Sequence, residues 1–393
     1  MVAVIKCGKP SERALPNQTK AGNRGKRDSQ LILMNLFSHV VFNDAMTALD
    51  FDLMAKIYRI TGHSTNLFQL VLMVDADTVV APESLKLMSN VMSSDIKVMG
   101  LCGDTRVANP LASWVTAIQV FEYFISHHLG KSFESSFGGV TCLPGCFSMY
   151  RISLPKGPGG AWTVPVLVNP DIVHEYGENR ADTLHLKNLL LLGEDRYLTT
   201  LMLRTFPKRK LVFVPEAICK TVVPDTFRTL LSQRRRWINS TVHNLYELML
   251  MRDLCGVFCF SMQFIVFFSR LQLELVGTMV LPAALVTLIT QLAFSAFSDS
   301  LSSVSVCIMS AMLFLPGILT SGFSLNPVNI FWMILYFASL PVWNIVLPLW
   351  AFWHFDDFTW GETRRIEGSD TDMAQGSQSK NEYAEEEHIL YKT

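Results

Sequence analysis

Residues 68–74, FQLVLMV, form a continuous apolar run of strand length that stops at the acidic tripeptide Asp75-Ala76-Asp77. A short run that is apolar on both faces is typical of a central strand in a parallel sheet. Acids at the carboxyl end of such a strand lie where open α/β sheets bind ligands. The tripeptide is therefore a candidate site, and the alternative interpretation is a pair of solvated turn acids.

Helices and strands are predicted to alternate around this run. Strands are predicted at 2–5, 98–102 and 211–214, helices at 84–92 and 111–128, and a basic loop at 9–30 that leads into a Leu- and Met-rich helix. Strands that alternate with helices indicate an α/β sandwich.

Composition excludes some classes of protein. The 393-residue chain has a formal net charge of -1, which argues against nucleic-acid binding because such proteins normally carry a dominant basic field. Eight Cys residues are scattered, without the paired CxxC sets that bind zinc. The pattern is typical of reduced thiols that face the cytosol.

The second part of the chain has the composition of membrane helices. Between residues 254 and 353 the charged side chains are Arg270, Glu274 and Asp299. Stretches long enough to span a bilayer lie at 275–297, 304–323 and 328–353, and 254–269 is borderline. Basic flanks on both sides favour an even number of crossings, hence four, whereas an interfacial helix at 254–269 would leave three.

These patterns predict five regions along the chain. They are a cytosolic α/β domain at 1–240, an interfacial helix or first span at 241–270, transmembrane helices at 271–355, a cytosolic loop at 356–366 and a disordered polar tail at 367–393.

Two acidic motifs suit the transfer of a sugar from a nucleotide diphosphate. That reaction requires neutralisation of the leaving diphosphate and a base that removes a proton from the acceptor hydroxyl. Asp75 and Asp77 can present oxygens to one Mg²⁺ or Mn²⁺. Asp195, in the motif Gly193-Glu194-Asp195-Arg196, can act as the base. The alternative interpretation of the second motif is a helix N-cap followed by a first-turn acid.

A basic motif, Gln233-Arg234-Arg235-Arg236-Trp237, combines guanidinium groups with an indole ring. This combination suits diphosphate binding and stacking on a sugar, and a basic patch that faces anionic lipid is compatible with it. His127 and His128 point in different directions on a helix and are not expected to share an ion. Asp356-Asp357 is interpreted as a cap at the end of the last span.

Seven motifs in this order resemble fungal chitin synthase, in particular its large class IV-like catalytic subunits. The motifs are GNRGKRDSQ (22–30), DADT (75–78), GDTR (103–106), TCLPGCFSMYR (141–151), GEDRYLTT (193–200), QRRRW (233–237) and HFDDFTWGETR (354–364). The order of the set is specific.

The resemblance implies a GT-A glycosyltransferase domain of family 2 followed by a transmembrane helical bundle. It further implies a hexosyltransferase that transfers N-acetylglucosamine from UDP-N-acetylglucosamine, with inversion, onto a β-1,4 chitin chain that leaves through the membrane. Expected partners are these substrates, a divalent Mg²⁺ or Mn²⁺ ion and the lipid bilayer. A homo-oligomer stays open. The plasma membrane is the expected location, and intracellular vesicles are a second location compatible with it.

The family's catalytic residues fall on matching positions of this sequence. Its metal-binding acid falls on Asp77, and Asp75 beside it is expected to contact the nucleotide. Its base falls on Asp195, supported by Glu194 and Arg196.

The substrate-binding elements of the family also have counterparts. The QxxRW element falls on Gln233, Arg236 and Trp237, which are expected to hold the diphosphate and to line the acceptor site. The other predicted substrate-binding residues are Arg24, Lys26, Arg27, Asp104, Trp360 and Thr363.

Three functional alternatives remain beside this interpretation. The family's donor domain begins with strands that have no counterpart after Met1, so that the GT-A domain is expected to be incomplete and a catalytically impaired fragment is one alternative. Hyaluronan or cellulose synthases, which share the DxD, base and QxxRW elements, are the second. A non-catalytic transporter is the third, but the predicted spans carry few ionisable groups for a substrate path.

Overall fold

The computed structural model describes residues 2–13, 25–156, 162–251 and 327–359, with scattered positions between 283 and 311. Several predictions fall outside these residues, wholly or for the most part: the stretches 254–269, 275–297 and 304–323, and the tail 367–393.

Within the described ranges, seven strands form two sheets. The strands are β1 (Leu70–Val74), β2 (Thr78–Val80), β3 (Val98–Val107), β4 (Phe147–Arg151), β5 (Ser153–Lys156), β6 (Trp162–Pro165) and β7 (Lys210–Thr221). The main sheet has five strands in the order β1-β4-β3-β7-β2, and β5 pairs with β6 in a small second sheet. Strand predictions at 98–102 and 211–214 are confirmed, although both strands are longer than predicted.

The main sheet is mixed. Strands β3 and β7 pair in parallel, with Leu101 opposite Val212, whereas β4 runs antiparallel to both β3 and β1. The prediction that residues 68–74 form a central parallel strand is wrong, because β1 lies at a sheet edge and pairs antiparallel with β4.

Burial of β1 on both faces explains why its apolar run resembles that of a central strand. Leu70 and Leu72 contact the cluster that contains Met88, while Met73 belongs to the cluster on the other side of the sheet. Helices thus cover the strand on both faces. A continuous apolar run reports this two-sided burial and does not report the strand's position in the sheet.

Twelve α-helices lie among the described residues. They are α1 (Pro10–Arg13), α2 (Gly25–Phe42), α3 (Ala48–Thr61), α4 (Ser84–Ser94), α5 (Trp114–Tyr123), α6 (Gly130–Ser136), α7 (Pro170–Tyr176), α8 (Leu184–Lys187), α9 (Glu194–Thr205), α10 (Phe227–Leu250), α11 (Pro327–Ala338) and α12 (Leu347–Trp353). Helix α4 covers one face of the main sheet, while α2, α7 and α9 cover the other. The helix predicted at 84–92 is confirmed.

Two helix predictions had the wrong boundaries. The helix predicted at 111–128 begins at Trp114, because Ser113 caps it by accepting from the Thr116 amide at 3.2 Å. It continues through a π-helical segment, Phe124–Leu129, into α6. The loop predicted at 9–30 is helical at Pro10–Arg13 and from Gly25 onward. Its Asp28 lies in the first turn of α2, where an acid is favourable.

The strand predicted at residues 2–5 is wrong. The described chain has no strand there, and the side chains of Val4 and Ile5 are 47% and 80% exposed. A run of four residues is too short for its composition to specify a pairing partner.

Helix α11 packs against α5, where the ring centroids of Phe121 and Tyr336 lie 5.6 Å apart, and helix α12 packs against α10. Among the described residues no unbroken helix is both long enough and apolar enough to cross a bilayer. The segments Ile330–Ala338 and Val342–Trp353 together have the required length and apolarity, and the angle between them is 53°. The single span predicted at 328–353 is therefore corrected to a bent pair. Pro341 lies at the break, where it cannot donate a helical hydrogen bond.

Helix α10 runs without interruption through residue 240, the predicted end of the cytosolic domain. The Asn239 side-chain amide of α10 donates to the Ala351 carbonyl oxygen of α12 at 3.0 Å, which holds the two helices together. The division of the chain into five regions stays a prediction.

Candidate active site

The acidic tripeptide follows β1 as a tight turn. The Asp75 amide donates to the Cys146 carbonyl oxygen at 3.2 Å, and the Thr78 amide donates to the Asp75 carbonyl oxygen at 3.1 Å. These bonds hold Asp75 against the loop before β4, half-buried, and leave Asp77 exposed at the turn. The two acids of one motif therefore lie in different environments.

Lys26 joins three of the motifs. Its Nζ lies 2.6 Å from Asp75 Oδ1 and 3.7 Å from Asp195 Oδ2, and it donates to the Gly145 carbonyl oxygen at 2.8 Å. Asp75 and Asp195 follow Lys26 by 49 and 169 positions in the sequence, and both lie beside its ammonium group. The structure brings the predicted site residues Lys26, Asp75 and Asp195 together, and their catalytic roles stay predictions.

The start of α9 positions the second acidic motif. A π-helical segment, Asn188–Leu192, leads to Gly193, which is the N-cap of α9. Glu194 and Asp195 then occupy the first turn, where carboxylates interact favourably with the helix dipole. The capping interpretation of this motif is confirmed, and it is compatible with Asp195 facing the Lys26 ammonium.

Gly145 lets the backbone approach Asp195 closely. A Cβ atom added to Gly145 would lie 1.8 Å from Asp195 Oδ2, well inside van der Waals contact. Any other residue at this position would displace the carboxylate.

Burial and charge shift the pKa values of these groups. Burial raises the pKa of Glu194 to about 8, and the adjacent charge of Asp195 adds to the effect. Burial also raises the pKa of Asp75, although Lys26 opposes it. Burial alone would lower the pKa of Lys26, but the charges of Asp195, Asp75 and Glu194 outweigh it, so that this pKa is raised. Lys26 therefore stays charged across the physiological range.

Gln30 contacts Asp195, a contact that the sequence pattern did not predict. It is buried one helical turn after Lys26, and its Nε2 donates to Asp195 Oδ1 at 3.4 Å. The Tyr176 hydroxyl donates to Gln30 Oε1 at 2.5 Å and so fixes the amide orientation. The i,i+4 spacing of Lys26 and Gln30 was a usable signal, but only once residues 25–30 are known to be helical.

Two of the three arginines of QRRRW form ion pairs with acids, and the third lies within electrostatic range of Glu194. Arg234 Nη2 lies 2.7 Å from Glu122 Oε2, and Arg235 forms an ion pair with Asp357. Burial lowers the pKa of Arg236, and the charge of Glu194 opposes this shift. The helix that carries the basic motif thus reaches the acidic motif of α9.

The other two residues of the QxxRW element lie beside this row. Trp237 stacks on the Arg234 guanidinium at 4.3 Å. Gln233 Oε1 is buried without a hydrogen-bond partner among the described residues. Their role toward a substrate stays a prediction.

Other predicted site residues have different neighbours. Buried Asp104 accepts from Arg106 Nε at 2.9 Å and lies 3.4 Å from His128 Nδ1. Arg27 donates to the Glu178 carbonyl oxygen, and Arg196 lines a small cavity between α9 and α10. The roles of these three residues stay predictions. Arg24, Trp360 and Thr363 lie outside the described residues.

A divalent ion has two carboxylate candidates. No group of three or more His, Cys, Asp or Glu side chains is arranged as a complete metal site within the part of the chain that the structure describes. Mg²⁺ typically takes one or two carboxylates together with substrate phosphates, and Asp75 and Asp77 supply that number. His127 and His128 pack separately, against Tyr123 and Phe124.

Comparison with known proteins identifies similar chains. The chain is 57% identical over 374 residues to chitin synthase 4 of Pyricularia oryzae, covering 95% of this chain and 30% of that protein. It is 57% identical over 368 residues to chitin synthase C of Emericella nidulans, covering 94% and 30%. The chain thus spans about a third of the length of these relatives.

Among solved structures, a mannosyltransferase from Pyrobaculum calidifontis in complex with GDP-Man and Mn²⁺ aligns with a TM-score of 0.41 and 13% identity, covering 76% of this chain and 64% of the other. A likeness this weak has no bearing on ligands. The model of the chitin synthase family, by contrast, matches residues 1–393. On the strength of that match and the identities above, the chain belongs to the chitin synthase family.

Proposed function

We propose that this chain carries the catalytic centre of a membrane-embedded chitin synthase. It would transfer N-acetylglucosamine from UDP-N-acetylglucosamine to the 4-hydroxyl end of a growing β-1,4 chain, with inversion at the anomeric carbon. The observation that carries the proposal is the Lys26 ammonium between Asp75 and Asp195, because it joins the donor-side acid and the candidate base at one point.

Asp195 is the proposed catalytic base. Its carboxylate is held by the Gln30 amide and lies against the backbone of Gly145, so that its position is restricted from two sides. A base that is positioned in advance needs little reorganisation when the acceptor hydroxyl loses its proton. Attack from the face opposite the leaving UDP then inverts the configuration in one displacement.

Asp77 and Asp75 are the residues that would hold Mg²⁺ or Mn²⁺. When bound, the ion supplies positive charge that neutralises the diphosphate as it leaves. Asp77 suits this role because it is exposed at the turn after β1, whereas Asp75 is engaged by Lys26. Lys26 can in turn contribute its charge to the same phosphates.

The QxxRW element would bind the diphosphate and the acceptor end of the chain. Arg236 is buried near Glu194, so its charge lies within electrostatic reach of the acidic motif. The buried carbonyl oxygen of Gln233 can accept a hydrogen bond from a sugar hydroxyl. The Trp237 indole offers an apolar face to a sugar ring.

The proposal extends to the membrane. The bent pair α11 and α12 would form part of a path through the bilayer, where uncharged sugars stack on tryptophans such as Trp343 and Trp350. The proposed location is the plasma membrane, with the catalytic domain on its cytosolic side. A homo-oligomer is compatible with this arrangement.

Sugar incorporation tests the proposal. Membranes that contain the chain are expected to incorporate labelled N-acetylglucosamine from UDP-N-acetylglucosamine alone into a chitinase-sensitive polymer, and a chelator is expected to stop it. A requirement for UDP-glucuronic acid, or incorporation of glucose instead, would indicate a hyaluronan or cellulose synthase. UDP binding without any incorporation would indicate an impaired enzyme.

A further inference from the structure

Asp357 lies next to the basic motif although it is more than 100 residues away in sequence. The Arg235 side chain is 4% exposed, and its Nη1 forms the ion pair with Asp357 Oδ2. Its Nη2 donates to the Thr359 carbonyl oxygen at 2.6 Å. A buried guanidinium is thus matched by one carboxylate and one backbone carbonyl of the segment that follows α12.

Asp357 also shapes its own segment. Its Oδ1 accepts from the Thr359 amide at 2.9 Å and from the Thr359 hydroxyl at 2.7 Å. One carboxylate oxygen therefore folds the local turn while the other binds Arg235. The neighbouring Asp356 is exposed. The two adjacent acids, which the sequence presents as a pair, have different environments.

The segment 354–359, called here the strap, contacts two elements of the active site. Besides binding Arg235 of α10, it places the Phe358 ring 5.7 Å from the Lys187 ammonium of α8. Helix α8 leads through the π-helical segment directly into Gly193, Glu194 and Asp195. The strap thus joins the helix that carries Arg236 to the chain that carries the proposed base.

The Arg235–Asp357 ion pair also compensates a buried charge. Arg235 and Arg236 are adjacent and both buried, and burial together with the charge of Arg236 lowers the pKa of Arg235. Without Asp357, the buried guanidinium of Arg235 would lack its carboxylate partner. Such an uncompensated buried charge is strongly unfavourable.

We infer that Asp357 is a positioning residue for the transfer reaction: through Arg235 and the strap, it holds α10 and the start of α9 in the alignment that places Arg236 and Asp195 around the substrate. This inference rests on the function proposed above. It assigns no contact between Asp357 and substrate, and it predicts a defect in turnover and not in donor binding.

Kinetics test this role with two matched variants. Asp357→Asn keeps the shape and the oxygen that bonds Thr359 but removes the charge, and Asp356→Asn removes an equal charge one residue away. Asp357→Asn is expected to lower kcat by about tenfold to a hundredfold with KM for UDP-N-acetylglucosamine within about twofold, because small misplacements of reacting groups have effects of this size. Asp356→Asn is expected to stay within about twofold of the wild type for both.

A charge swap covers the case in which Asp357→Asn does not fold. The double variant Arg235→Asp with Asp357→Arg restores an ion pair. Its kcat is expected to be about tenfold higher than that of the less active of the two single variants, Arg235→Asp and Asp357→Arg. A folded double variant without recovery overturns the inference. Equal losses in Asp357→Asn and Asp356→Asn also overturn it.

Hydrogen exchange separates this inference from the proposed function. In Asp357→Asn, amides of residues 188–197 are expected to exchange about tenfold faster than in the wild type, as local opening becomes easier, while those of α3 are unchanged. If the wild type makes no polymer but this exchange pattern appears, the proposed function fails, whereas the finding that Asp357 positions the start of α9 stands. If the wild type is active and Asp357→Asn changes neither exchange nor kcat, the positioning role fails.

Discussion

The chain has two pairs of neighbouring acids at its candidate site, and they are built differently. The pair after β1 lies on a turn, where Asp77 is exposed and Asp75 is half-buried against Lys26. The pair at the start of α9 lies on a helix, where Glu194 is 5% exposed and Asp195 faces the same lysine. Each pair therefore contributes one acid to the Lys26 ammonium.

The difference between the pairs follows from the backbone. On a turn, residues i and i+2 can point to the protein and to solvent, so one acid is left free for a ligand. In a helix, consecutive side chains are about 100° apart, so one acid enters the core when the other faces the site. The first pair is thus suited to binding an ion, and the second to holding a base beside a buried acid.

The largest effect is expected from Asp195→Asn. This variant should lower polymer synthesis by about 10²- to 10⁴-fold, the usual contribution of a general base, because the amide cannot accept the proton. Labelled sugar incorporation measures the loss, and UDP binding by calorimetry should be retained. Retained synthesis would show that the α9 pair does not contain the base, and the proposed difference in role between the two acid pairs would be wrong.

A smaller loss is expected from Asp77→Ala. Removing the exposed acid should lower incorporation by about 10²-fold and raise the Mg²⁺ or Mn²⁺ concentration needed for half-maximal rate, because one of the two candidate ion ligands is lost. The control is Asp52→Ala, an exposed acid on α3. Full activity of Asp77→Ala in the presence of chelator would contradict the ion-binding role of the turn pair.

Lys26→Met tests the link between the pairs. The variant keeps much of the side-chain length but removes the charge, so that Asp75 and Asp195 repel each other without a cation between them. We expect a loss of about tenfold in kcat/KM for UDP-N-acetylglucosamine, equivalent to about 1.4 kcal/mol of lost transition-state stabilisation. The exposed Lys86→Met is the matched control. A loss no larger than that of the control would mean that the acids do not depend on Lys26.

The smallest effect is expected from Glu194→Gln, and it concerns stability. Burial raises the pKa of Glu194 to about 8 from an ordinary value of 4.5, so that between these pH values the folded chain keeps a proton that the unfolded chain has lost. Stability should therefore fall as the pH rises through this range. Gln cannot ionise, so the variant should lose this fall.

Thermal unfolding at pH 5 and pH 8.5 measures the effect. The midpoint of Glu194→Gln should exceed that of the wild type by several degrees at the higher pH, since one pKa unit is about 1.4 kcal/mol and about 1 kcal/mol moves a midpoint by roughly 2–4 °C. At pH 5 the two should agree closely. Asp171→Asn, at the exposed start of α7, is the control. The same pH slope in Glu194→Gln and wild type would reject the buried-acid role of Glu194.

The sequence predicted the family through its ordered motifs, and the family match confirms it. It predicted β3, β7 and α4 because their apolar periods are regular. It missed the antiparallel edge position of β1, since two-sided burial has the same composition in either position. It also missed Gln30, because residues 25–30 resemble a basic loop until the helix is known.

Residue identities by themselves determined which chemistry is available: carboxylates after β1 and at the start of α9, a lysine, and an arginine row beside a tryptophan. Tertiary structure alone decided which of these meet. Lys26 selects Asp75 over Asp77 and Asp195 over Glu194, and Arg235 selects Asp357 over Asp356. Neighbouring acids carry the same functional group. They differ only in backbone direction and burial, which depend on segments far away in sequence.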